Sequence, residues 1–149
     1  MKIFALLLIL VGTFAFGFAG QGQAEVSFQV LERGQNSGEK TQGLKVFRTQ
    51  KAYDEYVKEH GQNPVPKALK DVDWSKEQVV VIFGGEQPTG GYGVEVKKIV
   101  STDVQRLSVE AILMRPRPGT PSTQALTTPY ITIKMARQVA VIRVKFVLE

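Results

Sequence analysis

The chain has 149 residues, a formal net charge of +5, one histidine and no cysteine. That length suits one domain with a real core, which must be held by packing and hydrogen bonds because disulfides and thiolate metal sites are excluded. The basic residues are scattered (Lys97/Lys98, Arg115/Arg117, Arg143/Lys145), which speaks against a nucleic-acid tail; an ordinary solvated surface, or weak attraction to anionic envelope polymers or an acidic partner, is left.

In chain order, the first element has the form of a secretory signal peptide over residues 1–24. Lys2 gives a positive start, Ile3 to Phe18 is an apolar run broken by Gly12, Thr13 and Gly17, and a small, polar tract follows. Cleavage is expected after Ala19 or after Ala24. The apolar run is shorter than a membrane-spanning helix requires and no basic cluster follows it, so no membrane anchor is expected after cleavage. Without a cysteine there is no site for a lipid anchor. The mature chain, 25–149, is expected to be a secreted or periplasmic cell-envelope domain.

Val26, Phe28 and Val30 alternate with polar residues as a half-buried strand, and Arg33 to Lys40 reads as a loop. Leu44 to Arg48 is a second strand. Thr49 is placed as an N-cap for a helix over Gln50 to His60, whose Tyr53, Tyr56, Val57 and His60 share one face. Gly61 is positioned to end that helix, with Pro64 and Pro66 preventing its resumption and a possible extra turn over Val65 to Lys70. Val79 to Phe83 is a continuous apolar run, expected to be a central strand covered on both faces. Gly84 to Gly91 reads as a glycine-rich hairpin turn into a strand from Tyr92. A phase slip after Lys98 predicts a β-bulge, and Ser101-Thr102-Asp103 a turn. Leu107, Val109, Ala111 and Leu113 form the inner row of the next strand. The prolines of Arg115 to Gln124 force a loop. Ile131, Ile133 and Met135, then Ala140, Ile142, Val144, Phe146 and Leu148, form two more inner rows. The expected fold is α+β: a largely antiparallel, curled sheet of about seven strands, with hairpin connections in its second half and one main helix packed against it.

Chemistry is sparse. His60 lacks an evident nucleophile or carboxylate partner and reads as a structural residue at the helix end. Ser37 to Lys40 and Gly34 to Thr41 imitate a Ser-x-x-Lys motif and a P-loop, but spacing and context disagree with both. Asp71 and Asp73 read as turn residues that accept backbone N–H groups rather than as a calcium site. No catalytic residue, metal ligand or cofactor site emerges. The segment Gly84 to Gly93 holds five glycines and a proline between two strands, so besides turning it exposes backbone groups that can dock another chain or a small anion.

Asp73-Trp74-Ser75-Lys76, the strand Val79 to Phe83, Gly85-Glu86-Gln87-Pro88-Thr89-Gly90-Gly91-Tyr92 and the stretch ending Thr123-Gln124-Ala125-Leu126-Thr127-Thr128-Pro129-Tyr130 resemble the C-terminal domain of the PrcB family, best over residues 72–135. The resemblance implies a non-catalytic secreted or envelope protein that associates with a protease and stabilises it, and it brings no catalytic residues. Many relatives look like lipoproteins, from which this cysteine-free chain departs. The leading expectation is therefore a protein-binding module with a protein partner such as a secreted protease. Its expected contacts are Pro88, Thr89, Gly90, Gly91 and Tyr92, with Arg115 and Arg117 in the second loop. The alternatives are a protease inhibitor offering Arg115 to Gln124 to the enzyme, and a small-ligand or glycan-binding envelope domain using Trp74 and the tyrosines.

Overall fold

A computed structural model describes residues 23–60 and 69–147. The expected signal peptide up to residue 22, the helix stop at Gly61 with Pro64 and Pro66, most of the extra turn and Leu148 lie outside the described residues. Seven strands and one helix are seen in the order β1 (Phe28–Gly34), β2 (Gln42–Phe47), α1 (Gln50–Glu59), β3 (Glu77–Gly84), β4 (Gly93–Asp103), β5 (Arg106–Met114), β6 (Tyr130–Ala136) and β7 (Val141–Val147).

The strands do not make one curled sheet. They divide into a four-stranded sheet, β1-β6-β3-β2, and a three-stranded sheet, β4-β5-β7. All pairings are antiparallel except β5 with β7. The expected hairpins of the second half reduce to one, β4–β5, because β3–β4, β5–β6 and β6–β7 each pass from one sheet to the other. Alternation reveals which face of a strand is buried, but both sheets present apolar faces to one shared core, so it does not reveal which strands are neighbours.

Side-chain parity on β3 organises the layers. Val80 and Ile82 point between the sheets, joining Val94, Val96, Ile99, Val109, Ile131 and Ile133. Val79, Val81 and Phe83 point the other way and pack with Tyr53 and Tyr56 of α1, Phe47 and Tyr130. The result is helix on sheet on sheet, and Val79 to Phe83 is central and covered on both faces as its unbroken apolar run requires. Thr49 caps α1, its Oγ1 accepting from Ala52 N at 3.2 Å.

Two boundaries differ from the sequence pattern. β1 continues through Arg33 and Gly34, which pair with Ile131 and Tyr130; Gly34 is accommodated there because any Cβ would run into the Tyr130 ring. β4 runs on through Ser101-Thr102-Asp103, and the turn comes at Val104 and Gln105, where Asp103 Oδ1 accepts from Gln105 N at 2.8 Å. The expected bulge lies between Val96 and Lys98, with a second register shift between Ser101 and Asp103.

Thr132 of β6 is fully buried and its hydroxyl has no hydrogen-bond partner among the described residues. An unpaired buried hydroxyl costs about 1–3 kcal/mol, and valine has nearly the same shape. Thr132→Val is expected to raise the urea midpoint by the equivalent of about 1 kcal/mol with an unchanged m-value; a lowered midpoint would show that the hydroxyl is satisfied.

Candidate functional site

The register Phe83↔Tyr130 closes the β3–β6 ladder at one end of the molecule. From there the two chains continue together as loops. Gly84 N donates to Pro129 O at 2.8 Å, Gln87 and Thr127 exchange two backbone bonds (2.7 and 3.0 Å), and Gly90 N donates to Thr123 O at 2.9 Å. Thr127 Oγ1 adds a bond to Thr89 O at 2.8 Å. A third segment joins them: Thr128 N donates to Gln35 O, Ser37 N to Thr128 O, and Gln35 Nε2 to Tyr92 O at 2.6 Å. The glycine-rich segment is therefore no hairpin turn but one side of a laced loop platform.

Two glycines serve this lacing. Gly91 has φ +84°, a conformation open to glycine, and an added Cβ would lie 2.9 Å from Pro116 Cβ. Gly90 is buried, and its added Cβ would stand 3.2 Å from Thr123 Cβ. The sequence-expected residues thus come together: Pro88 to Tyr92 abut the segment that carries Arg115 and Arg117, and the two candidate contacts form one surface. Pro88, Gly91, Arg115 and Arg117 are exposed, Thr89 and Tyr92 half-buried. Leu126, 65% exposed, stands on the same platform. The sequence reading passed over it, although an apolar residue among Thr, Gln and Ala inside a loop was the available signal.

Beside the platform, Leu113, Pro116, Pro118, Phe146 and Val147 line an open groove of about 730 Å³ with Arg115 and Arg117 on its wall. Trp74 is not part of this surface; it is half-buried against the helix-side core. Asp73 behaves as a turn residue, its Oδ1 accepting from Ser75 N at 3.0 Å and from Ser75 Oγ at 2.5 Å, which holds its carboxyl below the usual range.

A second cluster lies on the helix side. Glu39 Oε1 receives Lys45 Nζ at 2.5 Å and Tyr56 OH at 3.1 Å, and His60 Nε2 stands 3.5 Å away. His60 stacks on Tyr56 with ring centroids 4.0 Å apart, while its Nδ1 donates to Tyr56 O at 2.9 Å. So His60 does have a carboxylate beside it, contributed by a segment whose loop composition gave no hint of the meeting. The Lys45 hydrogen bond, followed by that of Tyr56, outweighs partial burial and lowers the Glu39 carboxyl below its ordinary value. Tyr56 is pushed upward by burial and by the Glu39 charge. Elsewhere on that face, burial raises Glu32 and pushes Tyr130, whose hydroxyl donates to Glu32 Oε1, up to about 12.

Fold and platform together define a two-sheet α+β domain with a laced loop surface at one end. Residues 78–136, from β3 through β6, match the family described as PrcB C-terminal, the family to which the resemblance pointed. The match therefore holds the two paired loop segments of the platform and the strands that anchor them, while the third segment, at Gln35 to Ser37, lies outside it. No curated protein and no solved structure matches the chain.

Two outcomes follow from this geometry. Gly91→Ala is expected to cost about 1–2 kcal/mol, because alanine is disfavoured at positive φ and its methyl meets Pro116; thermal unfolding measures the loss, and hydrogen exchange should rise first at residues 87–91 and 123–128. Glu39, with its carboxyl lowered in the folded state, contributes stability that is complete above about pH 4.5 and is lost as pH falls through the folded value. The difference between urea midpoints at neutral and strongly acidic pH should accordingly shrink in Glu39→Gln.

Proposed function

We propose that this chain is an exported, non-catalytic protein-binding module that associates with a secreted or cell-envelope protease and stabilises it. The match of residues 78–136 to the PrcB C-terminal family is the observation that carries this reading. Export rests on the signal-peptide pattern of residues 1–24. Among the described residues no helix is long and apolar enough to cross a membrane.

The platform suits such work. Its lacing fixes the backbone before any partner arrives, so little ordering entropy is lost on association. Tyr92, half-exposed with its carbonyl held by Gln35, and Leu126 offer the aromatic and apolar anchors on which interface energy concentrates. Binding only the folded protease would stabilise it by mass action, about 2.7 kcal/mol when the free module stands at a hundred times Kd.

Tagged full-length protein purified from its own host should bring down one protein in stoichiometric amount, and that protein should be a protease whose heat inactivation slows as the module is added. Tyr92→Ala and Leu126→Asp should each weaken capture by about tenfold or more. Recovery of no stoichiometric partner would sink the proposal, and protease activity that falls on titration would make the module an inhibitor.

A further inference from the structure

The groove beside the platform has a chemistry of its own. β2 and β7 are edge strands of different sheets that lie side by side without backbone pairing, forming a seam of the sandwich. Near one end of this seam Arg48 Nη2 reaches across to Ala140 O at 3.2 Å. At the other end, Gln42 of β2 and Phe146 and Val147 of β7 line the open groove of about 730 Å³. Its apolar lining comes from Leu113 and Phe146, both packed against the inter-sheet core, and from Pro116 and Pro118. These groups are rigid: two prolines have fixed φ, and Pro116 is held against Gly91.

Charge on the wall is one-sided. Arg115 and Arg117 are exposed and form no ion pair among the described residues. Four basic residues of the strands do find acids: Lys45 pairs with Glu39, Lys98 with Glu110, Arg106 with Asp103 and Lys134 with Glu77. A concave apolar floor edged by unpaired guanidinium groups is complementary to an apolar side chain flanked by carboxylates.

We propose that this groove seats an acidic, apolar segment of a partner protein, with the apolar side chain on Leu113 and Phe146 and carboxylates on Arg115 and Arg117. Resting on the binding-module reading, it names the chemistry of the partner's contact. Continuity supports the assignment, since Pro116 belongs both to the groove and to the contact with Gly91 on the platform.

The test uses a short labelled peptide that alternates aspartate with leucine, a twin with asparagine in place of aspartate, and phosphatidylglycerol vesicles, each titrated against the full chain and against Arg115→Glu/Arg117→Glu. The acidic peptide should bind saturably. The asparagine twin and the double variant should each bind about tenfold more weakly or worse, and added salt should reduce the difference. An unchanged far-UV CD spectrum verifies that the variant is folded. Equal binding of the twin, equal binding by the variant, no peptide binding, or binding of vesicles without peptide would each overturn the groove assignment. Host co-purification separates the two readings: a stoichiometric partner captured equally by wild type and double variant removes the groove but leaves the binding module standing, whereas no captured partner strikes the module itself.

Discussion

Strand β3 is the wall that both cores share, and its double burial is the constraint from which the rest of the molecule follows. Val79, Val80, Val81 and Ile82 are fully inaccessible and Phe83 nearly so. At about 1.5–3 kcal/mol for each buried side chain, these residues contribute on the order of 10 kcal/mol before conformational entropy is charged, comparable to the whole net stability of a domain. A strand so buried demands a cover on each side. The three-stranded sheet provides one and α1 the other, through Tyr53 and Tyr56, with Phe47 touching both rings at 5.3 and 5.2 Å.

The same strand sets the position of the loop platform. Its pairing with β6 fixes Phe83 opposite Tyr130, and the contacts Gly84–Pro129, Gln87–Thr127 and Gly90–Thr123 extend that pairing beyond the sheet. The platform is thus the far end of the most deeply buried ladder in the chain, which is why a segment with so many glycines holds a defined shape. Its order derives from the core; its composition alone would favour mobility.

What the sequence made legible was local. Thr49 before an amphipathic run, an apolar stretch of strand length at Val79 to Phe83 and a phase slip near Lys98 each have causes confined to neighbouring residues, and each is found in the structure. What it left hidden depends on partners distant in sequence. The split into two sheets is one such case: a connection such as Gly84 to Tyr92 can turn back on its own sheet or cross to another with similar residues. The parallel pairing of β5 with β7 is a second, since β6 intervenes in the other sheet. The meeting of Glu39 with Tyr56 and His60 is a third, because only the packing of α1 on the sheet brings it about.

The Pro88-Thr89-Gly90-Gly91-Tyr92 motif, which lies within the family match, has an account within the fold. Gly91 avoids Pro116, Gly90 admits Thr123, and Thr89 O accepts from Thr127. These contacts lie inside the chain, so the motif builds the platform whichever protein the platform meets. If the platform binds a protein as proposed, discrimination between partners would fall to the side chains that the lacing leaves outward, Pro88, Arg115, Arg117 and Leu126, with Tyr92 half-exposed among them. A related chain could therefore keep the motif, and with it the architecture of display, while exchanging those outward residues for a different partner.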